Sequence, residues 1–167
     1  MDPSEIKAFL DKASGKLFKT ATFDANGGTA ATSEVTVLAG GKVGTLPNAT
    51  RTGYRHTGWF TEKGGGTKVT DSTKVKKNVT YYAQWKANAY TINFHKNGGS
   101  GSMGAISAKY GKNVTLPANS FKKSGSKFKG WGTSKKGPVL IKNRAKVKNL
   151  TTRNGGTVTL YAIWKKK

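Results

Sequence analysis

The sequence predicts an α+β, mainly β chain, with a short N-terminal amphipathic helix followed by two tandem copies of one small β-rich unit. Three observations predict it. Five separated motifs occur twice, in the same order, across the 167 residues. Each copy closes on a segment whose apolar residues alternate with period two, the mark of a half-buried strand. The first residues instead carry an apolar stripe at helical spacing.

The helix is expected over residues 2–14. Asp2 is a capping residue, Pro3 suits the first helical position, and Glu5 completes a capping box. Ile6, Phe9, Leu10 and Ala13 follow i, i+3, i+4, i+7, and Gly15 is expected to stop the helix. Docking of this stripe onto the first unit is the leading expectation. A partner protein or self-association is the alternative. Its polar face mixes Glu5 and Asp11 with Lys7 and Lys12, which argues against membrane insertion.

The repeats come next. Thr22-Phe23-Asp24-Ala25-Asn26-Gly27-Gly28 recurs as Asn93-Phe94-His95-Lys96-Asn97-Gly98-Gly99. Gly41-Lys42 with Thr45-Leu46-Pro47 recurs as Gly111-Lys112 with Thr115-Leu116-Pro117. Gly53, Gly58-Trp59 and Thr61 recur as Gly125, Gly130-Trp131 and Thr133. The closing strands run Val79 to Trp85 and Val158 to Trp164, with Val79, Tyr81, Ala83 and Trp85 on one face. Opening strands end in Asn-Gly-Gly, residues that tolerate the positive φ of tight turns. Copy two carries about seven extra residues, placed at Leu150–Gly156. The expected division is 1–16 for the helix, 17–87 for the first unit and 88–167 for the second.

Charge separates the copies. The chain holds 30 Lys and Arg against 7 Asp and Glu, net +23. Residues 1–87 hold 13 basic and all 7 acidic side chains, net +6; residues 88–167 hold 17 basic and no acidic ones, net +17. Such a surface repels itself unless a polyanion neutralises it. With 26 Lys and 4 Arg, diffuse attraction is favoured over bidentate reading of bases. There is no cysteine, and no apolar run reaches the ~20 residues of a membrane span. The N-terminus lacks the pattern of a signal peptide, so the protein works inside the cell or its export signal was removed or lies outside this sequence.

Together, Thr-Phe-Asp-Ala-Asn-Gly-Gly, Leu-Pro, Arg-Thr-Gly-Tyr, Gly-Trp-Phe-Thr and the closing Tyr-Ala-x-Trp resemble the Listeria–Bacteroides repeat, also called the internalin B type B-repeat. The resemblance covers residues 18–86 and 89–165. It implies compact β-grasp (ubiquitin-like) units, found in tandem in bacterial surface proteins as stalk, spacer or adhesion modules without catalytic residues. Copy two departs from the pattern at Ser126, opposite Tyr54, and at Gly132, opposite Phe60.

No catalytic, cofactor or metal site is expected. Gly99-Ser100-Gly101-Ser102-Met103-Gly104 fits G-x-G-x-x-G, but no crossover helix or ribose-binding acid follows. His56 and His95 occupy non-equivalent positions without ligand spacing. The four tryptophans are expected in the core, with Tyr82 and Tyr161 as the better exposed rings. The binding surface is placed on the lysines of copy two. Lys122, Lys123, Lys127 and Lys129 bracket the loop before Trp131, and Lys135 and Lys136 follow it. Lys142, Arg144, Lys146 and Lys148 alternate, which on a strand puts them on one face about 6.6 Å apart.

The function expected is a non-enzymatic, cell-surface or extracellular adhesion module. Its second unit would bind an anionic polymer: glycosaminoglycan, teichoic acid or extracellular DNA. A cytoplasmic DNA- or RNA-binding protein of low sequence specificity is the alternative, and a structural spacer is the third reading.

Overall fold

A computed structural model describes residues 2–167. The chain divides into two compact units, the first ending at Lys86 and the second running Ala87–Lys167. It is mainly β, and α1 (Pro3–Leu17) is the one helix among the described residues.

Helix α1 starts as its sequence dictates. The Asp2 side chain accepts from the Ser4 N–H, and Glu5 accepts from the Asp2 N–H at 3.0 Å, closing the capping box. Its end differs from expectation. Gly15 lies inside the helix, which continues to Leu17 and passes straight into β1 through Phe18 in extended conformation. A glycine stops a helix by adopting positive φ, and Gly15 is not among the positive-φ glycines. Docking of the stripe is also not observed. Phe9 is 66% exposed and Leu10 59%, and Leu17 is exposed as well.

The first unit is built on β1 (Phe18–Asp24), β3 (Glu34–Leu38), β5 (Tyr54–Glu62), β6 (Gly65–Lys68) and β7 (Val79–Ala87), in the order β3-β1-β7-β5-β6. The opening and closing strands lie parallel, Phe23 facing Tyr81, and β3 pairs antiparallel with β1. A two-residue pair, β2 (Thr29–Ala30) with β4 (Ala49–Thr50), stands apart from this sheet. The second unit repeats the plan with β8 (Ala89–His95), β9 (Ile106–Lys109), β11 (Ser126–Gly132) and β13 (Gly156–Lys166), in the order β11-β13-β8-β9. Again the opening and closing strands are parallel, Phe94 facing Leu160. The short pair here is β10 (Val114–Thr115) with β12 (Lys146–Val147). In both units turns and extended chain, not helix, link the second core strand to the third.

Period-two alternation places the cores. Tyr81 and Ala83 are buried beneath the first sheet, and Leu160 and Ala162 beneath the second. Trp59 and Trp131 are 1% and 0% exposed, each the centre of its unit's apolar cluster. Trp85 and Trp164 are half-buried and pack on the rim of those clusters. No described helix is long and apolar enough to cross a membrane.

Candidate functional site

Each unit carries the same turn, built by the same bonds. Asn26 and Gly27 take φ of 47° and 86°, and Asn97 and Gly98 take 48° and 80°. The asparagine then pins the turn to two other segments. Asn26 Nδ2 donates to the carbonyls of Lys63 and Ala83 at 3.1 and 3.0 Å. Asn97 Nδ2 donates to those of Lys135 and Ala162, both at 2.8 Å. An indole adds a further tie: Trp85 Nε1 donates to the Ala25 carbonyl at 2.9 Å, and Trp164 Nε1 to the Lys96 carbonyl at 3.1 Å. The residue two before the asparagine accepts its N–H, Asp24 Oδ1 at 2.7 Å in one unit and His95 Nδ1 at 3.0 Å in the other.

A cation leans over each turn. The Arg51 guanidinium carbon lies 3.3 Å from where a Cβ on Gly27 would stand, and Lys123 Nζ lies 3.2 Å from the same point on Gly98. Arg51 also stacks on the Tyr54 ring at 4.3 Å and donates to the Asn26 carbonyl at 3.3 Å. Lys123 has no such ring, because Ser126 replaces the tyrosine.

Around this shared frame the charges differ. The first unit places Asp24, Ala25, Thr50, Arg51, Glu62, Lys63 and Gly64 about the turn, two cations and two carboxylates with no net charge. The corresponding residues of the second are His95, Lys96, Lys122, Lys123, Ser134, Lys135 and Lys136, five cations and no carboxylate. Lys123, Lys135, Lys136, Asn97 and Trp164 line a recess of about 310 Å³. Lys122 adjoins it, exchanging backbone bonds with Ser100 at 2.7 and 3.1 Å.

The ten basic residues singled out from the sequence therefore fall into three places. Lys122, Lys123, Lys135 and Lys136 come together at the turn. Lys127 and Lys129 point outward from β11, an edge strand, with Lys165 of β13 directly opposite Lys127. Lys142, Arg144, Lys146 and Lys148 are exposed but do not form the expected four-residue strand face. Residues Lys142 to Ala145 close a turn, with Arg144 at φ 58°, and only Lys146–Val147 pair as a strand. Within the turn the Asn143 side chain accepts the Asn119 N–H at 2.9 Å. Spacing of two gives a common face only while the backbone stays extended.

Other candidates resolve quickly. The G-x-G-x-x-G segment is loop, with Gly101 at φ 95°. Tyr82 and Tyr161 are half-buried, Tyr161 lying 4.9 Å from the His95 ring. His56 is wedged between Trp59 and Trp85, 5.2 Å from each, and burial pushes its pKa below the ordinary value of 6.5. Among the described residues no three His, Asp or Glu side chains stand close enough to hold a metal ion. The sequence reading, which sought clusters of lysines, missed Lys96 and the half-buried face of Trp164. The signal for Lys96 lay in the aligned repeats, where it stands opposite Ala25 as a gained charge.

The sequence matches known proteins along nearly all of its length. A protein of Evansella cellulosilytica described as a candidate Gly-rich membrane protein is 32% identical over 145 residues, which is 86% of this chain and 16% of that protein. Internalin H of Listeria monocytogenes is 32% identical over 121 residues, 71% of this chain and 21% of its own length. The chain thus spans roughly a sixth to a fifth of these relatives. The Listeria–Bacteroides repeat domain model matches residues 20–84 and 90–163, one match on each sheet described above. Two consecutive matches covering most of the residues place this chain in the Listeria–Bacteroides repeat domain family.

Proposed function

We propose that the chain is a non-catalytic binding module of the bacterial surface or adhesion kind, and that its second unit holds an anionic polymer. Glycosaminoglycan, teichoic acid and extracellular DNA are polymers of this kind. The observation that carries this reading is the acid-free second unit, net +17, on the same frame as a first unit of net +6. Nothing in the frame demands the charge. Lys127 faces Lys165 across the β11–β13 ladder, a like-charge pairing that destabilises a sheet left without counter-charge. Lysines on an edge strand also block edge-to-edge association, which accounts for Lys127 and Lys129 in part. That role does not reach the turn, where Lys123, Lys135 and Lys136 surround a recess.

A surface location is supported by the relatives, described as a Gly-rich membrane protein and an internalin. Each unit is further read as a β-grasp variant. The strand order, with parallel first and last strands at the centre, supports that reading, although extended chain runs where the helix of that fold would cross.

Binding to heparin, duplex DNA and RNA across salt concentration tests the proposal. The expected result is binding whose log K falls with log salt, at ~0.9 per phosphate neutralised on B-DNA. Failure to bind any of the three at physiological ionic strength overturns it. Tight binding to DNA and RNA with none to heparin would favour the intracellular alternative.

A further inference from the structure

We infer that the recess beside the Asn97–Gly98 turn is a subsite for one anionic sugar residue of a polysaccharide, with Lys123, Lys135 and Lys136 binding its sulfate or carboxylate and Trp164 bordering its ring. The inference rests on the proposed polyanion binding and narrows it to one place.

Three features set this recess apart from the remaining lysines. A side-chain amide ties its frame: Asn97 Nδ2 donates to the Lys135 and Ala162 carbonyls, each at 2.8 Å, which holds the backbone of the Lys135–Lys136 loop to the turn. A preorganised cluster spends less of its binding energy on ordering. An aromatic wall comes with the cations. Trp164 is half-buried, pinned through Nε1 to the Lys96 carbonyl, and lines the recess together with Lys123, Lys135 and Lys136. The third feature is the exchange of charge at corresponding positions. Three lysines, Lys96, Lys122 and Lys136, stand where the first unit has Ala25, Thr50 and Gly64. The exchange leaves in place the asparagine and indole bonds that hold the turn.

The geometry favours a sugar chain over a nucleic acid. A duplex rewards cations strung along the phosphate backbone, and the one candidate line, Lys142 to Lys148, is broken by the Arg144 turn. A single strand rewards exposed aromatic platforms on which successive bases stack. Here a single, half-buried indole sits beside a compact group of lysines, which suits one ring bearing one or two anionic groups. Lysine, a hydrated point charge, also suits isolated sulfate and carboxylate groups that rotate freely.

The test compares two triple variants of the full chain, each losing three charges from the second unit. K123Q/K135Q/K136Q empties the recess, and K109Q/K112Q/K167Q removes exposed lysines elsewhere. Both are titrated with a heparin-derived octasaccharide and with a 12-nucleotide single-stranded DNA, and amide spectra verify that each variant is folded. Octasaccharide affinity is expected to fall at least about tenfold for the recess triple and less than about threefold for the other. The Trp164 indole N–H resonance, assigned with W164F, is expected to shift on adding octasaccharide while that of buried Trp59 stays. Equal losses in the two triples with an unmoved Trp164 overturn the subsite and leave polyanion binding standing. Binding of DNA but not octasaccharide overturns the sugar assignment. If the unaltered chain binds neither probe, nor long heparin, the underlying function fails as well.

Discussion

The two units share a frame and differ in what they mount on it. Both hold an Asn-Gly-Gly turn by the same asparagine and indole bonds, and both lean a cation over the first glycine. The first unit stacks that cation on Tyr54 and carries Asp24 and Glu62 at positions where the second has His95 and Ser134; the second adds lysines at Lys96, Lys122 and Lys136. Backbone geometry and surface chemistry have therefore varied separately. Moving the chemistry without the frame is the most direct way to break the comparison. D24N/A25K/T50K/E62S/G64K gives the first turn the five cations of the second. Asn in place of Asp24 retains a side-chain acceptor for the Asn26 N–H. The space around Gly64 is open, so lysine fits there. Octasaccharide stoichiometry by calorimetry is expected to rise from one per chain to two. An unchanged value would show that the Lys123 recess owes its binding to more than charge on the turn.

The frame has its own point of failure. Gly28 has no room for a side chain: a Cβ there would lie 2.5 Å from both the Thr50 carbonyl oxygen and Trp85 Cζ2. At Gly99 the same atom would lie 2.7 Å from the Lys122 carbonyl oxygen and 3.0 Å from Trp164 Cζ2. Clash with backbone cannot be relieved by a rotamer change. Gly28→Ala is expected to destabilise the first unit by about 3 kcal/mol, and Gly99→Ala the second by about 2 kcal/mol. Urea unfolding followed through resolved amide resonances of each unit checks both values, and equal stability of G28A and the unaltered chain would refute the packing described for the turn.

The central tryptophans sharpen the contrast. Trp59 Nε1 donates to the Pro47 carbonyl at 2.9 Å, whereas Trp131 Nε1 is buried with no partner. Leaving a donor unmet in the core costs about 1–3 kcal/mol, so the second unit already bears a penalty that the first avoids. Trp59→Phe loses a hydrogen bond as well as volume; Trp131→Phe loses volume and removes the unmet donor. The cost of W59F is expected to exceed that of W131F by about 1–2 kcal/mol. The same unfolding measurement decides it.

Much of this was legible before any coordinates. Alternation in Val79–Trp85 and Val158–Trp164 marked strands and their buried faces, because period two has one interpretation when an aromatic and β-branched run ends in a turn. Asp2, Pro3 and Glu5 marked the helix start, since capping is a local matter. What failed were readings in which a local signal depended on a distant partner. Gly15 stops a helix only if the chain must turn there, and β1 instead continues straight on. The 142–148 lysines read as a strand face, but Asn143 is engaged by Asn119, 24 residues away in sequence, and the chain reverses. The recess was invisible for the same reason: Asn97, Lys123, Lys135 and Trp164 meet only when the parallel central strands have formed.

One aromatic slot separates the units by pH instead of by ligand. His56 sits between Trp59 and Trp85, and its counterpart Phe128 sits between Trp131 and Trp164, at 5.0 and 5.7 Å. Burial lowers the His56 pKa, opposed by a hydrogen bond that the imidazole donates to the Gly58 backbone and aided by Lys68. The folded first unit therefore binds a proton less readily than the unfolded chain. Its stability is complete above the ordinary histidine value of 6.5 and falls as pH drops from there towards the lower folded value. His56 Nε2 is buried without a partner, so charging it brings no compensating bond. His56→Phe installs the ring that the second unit already accommodates. It is expected to stabilise the first unit by about 1 kcal/mol at neutral pH and to remove the histidine contribution to its loss below pH ~6.5. Unfolding of both units across pH 4.5 to 8 reads the two effects together. A first unit whose acid sensitivity survives in H56F would trace it to other groups, and would leave the units alike in this slot.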